Sequence, residues 1–157
     1  MRDLRPILLV EDNPKDAELT LAALSRCQLL NTVIHVRDGA EALEYLRSEG
    51  AHAGTRHGGP VVVLLDLKLP KVNGLEVLAE VRRDPALSST PIVMLTSSNE
   101  ERDLVRSYEL GVNAFVVKPV DFKEFFEAIQ GLGMFWGITN EPPPFRGAPK
   151  PDRGANV

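Results

Sequence analysis

Cysteine is nearly absent from this sequence, with Cys27 the one thiol among 157 residues. A lone cysteine closes no internal disulfide, and without a CxxC pair nothing asks for an oxidising compartment or a structural zinc. Long hydrophobic runs are missing too. The longest aliphatic stretch, Val61 to Leu65, is far too short to span a bilayer, and Met1-Arg2-Asp3-Leu4-Arg5-Pro6 opens without an apolar segment of signal length. A membrane role is therefore excluded, and the cytoplasm is the expected location. Positive charge is in short supply as well: 18 Lys and Arg stand against 22 Asp and Glu, for a net charge of −4. Residues 142–157 carry Arg146, Lys150 and Arg153 against Asp152, a balance of +2, which leaves the body at −6. An acidic body lacks the basic stripe that neutralises phosphates, so nucleic acid is not an expected partner.

What is present is the material of one ordinary domain, 43% hydrophobic and 25% charged. At this length a chain buries roughly 70% of the surface it exposes unfolded, enough for a full core without staples. Five times over, a short run of Val, Ile and Leu precedes a longer helix-compatible stretch, a pattern that predicts a parallel sheet. The runs are Ile7 to Val10, Val33 to Val36, Val61 to Leu65, Ile92 to Leu95 and Ala114 to Val117. Asn13-Pro14 opens the first helix with an Asx cap and a proline at the first helical position, and Ala17, Leu21 and Leu24 mark its inner face. Ser98-Asn99-Glu100-Glu101 reads as a capping box for the fourth helix, with Leu104 and Tyr108 along one face. Phe122, Phe125, Phe126, Ile129 and Leu132 form an apolar stripe on the last. Gly50 to Pro60 is too glycine-rich for either element and predicts a surface loop. Five prolines within residues 142–157 predict an extended or disordered end.

In an open parallel sheet the functional edge lies at the carboxyl ends of the strands, so the residues following each run matter most. They are Glu11-Asp12, Arg37-Asp38-Gly39, Asp66, Thr96-Ser97 and Lys118-Pro119. Three carboxylates, a hydroxyl and a lysine at one edge make a site for a hard cation and a phosphoryl group. Two carboxylates about 5 Å apart repel by roughly 3 kcal/mol at an effective dielectric near 20, so a bare cluster either protonates or recruits a cation. Lys118 offsets part of this repulsion. Mg²⁺ offsets more, because it binds through one or two carboxylates and keeps waters that a phosphate oxygen can replace. Glu11-Asp12 has a plainer reading as acidic residues at a helix N-terminus. Asp66, ending a run of five aliphatics, has no comparable excuse.

With Leu9-Val10-Glu11-Asp12-Asn13-Pro14, Asp66-Leu67-Lys68-Leu69-Pro70 and Asn73-Gly74, Met94-Leu95-Thr96-Ser97, and Val117-Lys118-Pro119-Val120 in this order, the sequence resembles the receiver domain of two-component response regulators from Ile7 to about Leu132. The resemblance implies a doubly wound (βα)5 fold, flavodoxin-like or CheY-like, with strand order 2-1-3-4-5. It implies Asp66 as phosphoacceptor from a histidine kinase phosphohistidine. Mg²⁺ would be held by Glu11, Asp12, Asp66 and the backbone carbonyl of Lys68, and phosphoryl oxygens by Thr96 and Lys118. Pro119 would follow a cis peptide, which costs an X-Pro bond only about 0.5–1 kcal/mol. Thr96 and Phe115 would form the switch. Since Phe115 lacks the hydroxyl of a tyrosine, its inward rotamer is expected to be populated before phosphorylation.

Other residues carry less. His52 and His57 have no third ligand near them, His35 reads as packing or edge within the second strand, and Cys27 as a small buried hydrophobe. Glu76, Arg82 and the surfaces of the first and fourth helices are candidate partner surfaces. Phe135-Trp136 puts large apolar groups beyond the point where the domain is complete, so residues 1–136 are expected to form the receiver. Residues 137–157 would be a proline-rich extension, partly disordered or dimer-forming. The tail, and the enlarged loop before Val61, also resemble small single-domain regulators that serve phytochrome-type histidine kinases. The expectation is a stand-alone regulator, not itself an enzyme, that lacks a DNA-binding output domain and pairs across its last helix and tail; the folded-back helix end is the other option. A haloacid-dehalogenase-type hydrolase would want an acidic residue two positions after the nucleophile, where Lys68 stands. A phosphate-independent scaffold would have lost one of the acidic, hydroxyl or lysine positions, and none is missing.

Overall fold

Runs of β-branched residues and leucine become strands here: Ile7–Val10, Val62–Leu65 and Ile92–Thr96 are buried on both faces, and the outer runs Val33–Val36 and Ala114–Val117 are mostly half-buried. In the computed structural model, which describes residues 5–26, 31–50, 59–97, 100–118, 121–136 and 140–141, strands and helices alternate. The order is β1 (Ile7–Val10), α1 (Pro14–Ser25), β2 (Val33–Val36), α2 (Gly39–Arg47), β3 (Val62–Leu65), α3 (Gly74–Arg83), β4 (Ile92–Thr96), α4 (Glu101–Glu109), β5 (Ala114–Val117) and α5 (Phe122–Met134). All pairings are parallel, and the strand order is β2-β1-β3-β4-β5, as expected. Val10 lies level with Val36 and Leu65, and Thr96 with Val117, so the strands deliver their following residues to one edge.

Two apolar layers sandwich the sheet, and successive strand residues alternate between them. Leu8, Val10, Val63, Leu65 and Met94 face α2 and α3, while Ile7, Leu9, Leu64, Val93 and Leu95 face α1 and α5. On α1, Ala17 and Leu24 are buried, and Asn13 caps it by accepting from the backbone N–H groups of Lys15 and Asp16 at 3.0 and 3.1 Å. Phe125 and Ile129 anchor α5 in the α1-side layer, joined by Phe126, Leu132 and Trp136 at its margin.

Several local expectations are corrected. Val61 precedes β3 instead of opening it, its N–H donating to the Pro6 carbonyl at 2.8 Å, and Thr96 is the last residue of β4 instead of the first beyond it. The fourth helix starts at Glu101, with Glu100 as its cap residue and no side-chain capping bond from it. Leu104 and Tyr108 are exposed, at 38% and 54%. The face that α4 turns inward is Asp103, Ser107 and Leu110, about 100° away, with Ser107 Oγ donating to the Asp103 carbonyl at 2.7 Å. Trp136 packs on its own domain while Phe135, in edge-to-face contact with it at 5.1 Å, stays 48% exposed. Cys27, His52, His57, the capping residues Ser98 and Asn99, Pro119 with its expected cis peptide, and residues 142–157 lie outside the described residues. No helix among the described residues is long and apolar enough to cross a membrane.

Candidate functional site

Glu11 follows β1 directly. Its N–H carries the ladder one step further by donating to the Val36 carbonyl at 3.1 Å, which leaves the side chain buried at the sheet edge while that of Asp12 is exposed. Asp66 stands at the same level after β3, its N–H donating to the Val10 carbonyl at 3.1 Å. Beyond it the chain is held by two glycines at which backbone meets backbone. A Cβ on Gly74 would lie 2.3 Å from the Asp66 carbonyl oxygen, and one on Gly39, the first residue of α2, 1.8 Å from the Val72 carbonyl oxygen. Only a residue without a side chain fits either place. The loop is also tied from within, because Gly74 N–H donates to the Leu67 carbonyl at 2.8 Å and Lys68 N–H to Asp66 Oδ1 at 3.3 Å.

Thr96 is fully buried at the end of β4, and its carbonyl accepts the Lys118 N–H at 2.7 Å. This backbone bond aims Lys118 across the edge. Its Nζ pairs with Glu11 Oε1, with Asp16 Oδ2 at 2.9 Å and with Asp66 Oδ2 at 3.1 Å, and the lysine side chain is 7% exposed. An ammonium has three donors, and three carboxylates use them. Asp16 was not among the expected site residues. It sits in the first turn of α1, where an acidic residue is accounted for by the helix terminus alone, and only its position four residues after Asp12 hints that it shares the same end of the sheet.

The electrostatics follow from crowding. Burial, then the Asp66 carboxyl, push Glu11 up to about 8, with Lys118 partly opposing. Burial also raises Asp66, but the Glu11 carboxyl, the Lys118 ammonium and the Lys68 N–H together outweigh it and hold Asp66 below the usual aspartate value. Burial lowers Lys118, and its three carboxylate partners more than compensate, so it is held above the ordinary lysine value. One oxygen of each of Glu11, Asp12 and Asp66 can lie within 4.8 Å of the others. Glu11 Oε2 is buried without a hydrogen-bond partner. A buried carboxylate oxygen is seldom left unsatisfied, and an all-oxygen donor set suits a hard divalent cation that keeps some of its water. These residues therefore fit such a cation.

Of the other expected residues, Phe115 is half-buried against the α2/α3 layer, in register with Met94. Lys68 is exposed, and it offers no carboxylate for hydrolase chemistry. Arg82, read as a candidate partner surface, is spent internally: its guanidinium donates to the carbonyls of Gly111, Ser88 and Thr90 and to Asn113 Oδ1 at 2.7–3.1 Å. His35 is half-buried in β2, with Nε2 2.8 Å from the Glu11 carbonyl oxygen.

Comparison with known proteins gives consistent matches. Residues 7–130 match the family described as the response regulator receiver domain. Response regulator Rcp1 of Synechocystis sp. is 40% identical over 130 residues, which is 83% of this chain and 87% of that one. The crystal structure of the Mn²⁺-bound form of Rcp1 superposes with a TM-score of 0.83 at 39% identity, over 88% of this chain and 99% of that one. The phosphorylated cyanobacterial phytochrome response regulator RcpA gives a TM-score of 0.83 at 42% identity, over 88% and 98%. The bacteriophytochrome response regulator AtBRR is 65% identical with a TM-score of 0.72, over 89% and 100%.

Proposed function

The chain belongs to the response regulator receiver domain family, and from that premise we propose that Asp66 accepts a phosphoryl group from a phosphohistidine of a histidine kinase. Glu11, Asp12, Asp66 and the backbone carbonyl of Lys68 would hold Mg²⁺. The observation that carries this reading is the Lys118 ammonium shared by Glu11, Asp16 and Asp66 beside the unpartnered Glu11 Oε2. That arrangement presents a carboxylate nucleophile, a cation for the incoming charge and a vacant acceptor for a metal within one cluster.

In the transfer, an Asp66 carboxylate oxygen attacks phosphorus, the P–N bond of the donor breaks with its electron pair going to the imidazole, and an aspartyl phosphate results. Bound Mg²⁺ supplies charge neutralisation at the phosphoryl oxygens. Lys118, 3.1 Å from Asp66 Oδ2, takes one phosphoryl oxygen, and the Thr96 hydroxyl at the end of β4 takes another. Burial of Thr96 and the half-buried position of Phe115 suit a paired switch, in which the hydroxyl moves toward the phosphoryl group and the ring fills the space behind it. The signal this chain passes on is then a change in the receiver surface.

Two finer points rest on similarity and exposure. Likeness to RcpA and AtBRR supports a phytochrome-type kinase as the partner. Exposed Met134 and Phe135, at 45% and 48%, support a homodimer packed through α5 and residues 137–157, with residues 1–136 as the receiver proper; a monomeric mass in sedimentation at micromolar concentration would count against it. The central reading is tested by intact-mass spectrometry after incubation with a small phosphodonor and Mg²⁺. Wild type should gain one labile phosphoryl group, and Asp66→Asn or a chelated sample none. No gain in wild type, or equal gain in Asp66→Asn, would leave a phosphate-independent scaffold.

A further inference from the structure

We infer that His35 is a positioning residue for the cation site, acting through the peptide that joins Glu11 to Asp12. The inference rests on the reading of Glu11 and Asp12 as cation ligands. The β1–β2 register ends at Val10 with Val36, and one further rung is made when Glu11 N–H donates to the Val36 carbonyl at 3.1 Å. The Glu11 carbonyl lies past that rung, where β2 gives way to the turn that opens α2 at Gly39. There it meets the His35 imidazole, with Nε2 2.8 Å from the oxygen.

Because the acceptor is a carbonyl, Nε2 carries the hydrogen and donates, in the neutral ring and in the protonated one alike. His35 pairs in register with Leu9, two residues before Glu11, so its ring stands on the sheet face that Glu11 continues. The peptide group is planar, and orienting this carbonyl therefore sets the backbone torsion leaving Glu11 and the one entering Asp12 together. One side-chain hydrogen bond thus fixes the direction in which the chain leaves Glu11, and with it the placement of the Asp12 carboxylate relative to that of Glu11. An apolar residue of similar size at position 35 would pack as well and leave that peptide free to rotate. The sequence suggested packing or an edge position for His35, because the bond crosses from one strand to the end of another.

The test compares wild type with His35→Phe, which keeps a ring without the donor, and His35→Gln, whose amide N–H reaches about as far as Nε2. Mn²⁺ affinity of the unphosphorylated protein is read by electron paramagnetic resonance of the free ion, alongside metal-free melting temperature. The expected result is about tenfold weaker Mn²⁺ binding in His35→Phe, as for other residues that orient metal ligands, and binding within about twofold of wild type in His35→Gln. Long-range proton–nitrogen spectra of metal-free wild type should show a proton on His35 Nε2. Wild-type affinity in His35→Phe, equal weakening in both variants, or a ring protonated on Nδ1 alone would overturn the inference. Should His35→Phe fail to fold, His35→Leu replaces it; failure of both while His35→Gln folds would also overturn it, since the bond would then serve the fold. Wild type that binds no Mn²⁺ would instead refute the cation site itself.

Discussion

Raising the pH of the cation-free protein from 6 to 8 should weaken the fold, and a divalent cation should restore it, because Glu11 is held far from its ordinary ionisation. Burial and the Asp66 carboxyl push it from 4.5 up to about 8. A carboxyl with a raised value binds its proton more tightly in the folded state than in the unfolded one. Its contribution to stability is thus fully present below 4.5 and is lost as the pH climbs through about 8. Between pH 6 and 8 the slope approaches about 1.4 kcal/mol per pH unit, up to about 2.7 kcal/mol in all. Asp66, shifted the other way, is ionised in both states across this window and adds no slope. In a domain of this size about 1 kcal/mol moves Tm by roughly 2–4 °C, so a fall of about 5–10 °C is expected.

A divalent cation displaces the proton from Glu11, and its apparent affinity therefore strengthens over the same window by up to about tenfold per pH unit. The rise in Tm on adding about 10 mM MgCl₂ should accordingly be larger at pH 8 than at pH 6, by a comparable 5–10 °C on the same scaling. Circular-dichroism melts at constant ionic strength, with MgCl₂ or with chelator, give both quantities. Glu11→Gln isolates the group from the other titrating residues: it should flatten the cation-free slope and remove the pH dependence of the cation effect. A level cation-free Tm in wild type, a cation shift equal at the two pH values, or an undiminished slope in Glu11→Gln would refute the reasoning.

Arg82→Ala removes donors from three loop carbonyls and Asn113, and should lower stability by about 2–4 kcal/mol in urea melts while leaving phosphoryl uptake stoichiometric. Gly74→Ala would place a methyl 2.3 Å from the Asp66 carbonyl oxygen; stability should fall by about 2 kcal/mol or more, and phosphoryl uptake followed by intact mass should slow by about tenfold as the loop shifts. Asp16→Asn should slow uptake severalfold without abolishing it in the same assay, since a charge-assisted partner of Lys118 becomes a neutral one.

Strand positions were legible because the runs are mostly apolar, and the edge because polar residues follow them directly; the strand order came only with the family resemblance. Glu11, Asp12, Asp66, Thr96 and Lys118 could be found by that rule alone. The contacts that tune the edge could not. Asp16 looks like any acidic residue in a helix's first turn, and His35 like any polar residue on an outer strand. Gly39 and Gly74 show their need for a bare backbone only once Val72 and Asp66 are placed against them. Helix α4 misleads for the opposite reason. Leu104 and Tyr108 have the right spacing for a buried face, yet the helix is turned so that small, self-bonded Ser107 meets the domain, and the apolar residues remain in solvent.

Asp16 completes the logic of the site. When all are ionised, the four carboxylates Glu11, Asp12, Asp16 and Asp66 face the single ammonium of Lys118, and a phosphoryl donor brings more negative charge to the same place. On the proposed reading, Glu11 would serve a cation and an oxygen of Asp66 would carry the phosphoryl group as an acyl phosphate, so two of the three partners that aim Lys118 have other duties. Asp16 does not. It stands toward α1, its side chain 32% exposed and so only lightly desolvated, at a helix N-terminus whose dipole favours its charge. On the proposed reading it would keep the ammonium directed into the site while the other partners exchange. This is why its removal should act on the rate of uptake and not on whether uptake occurs.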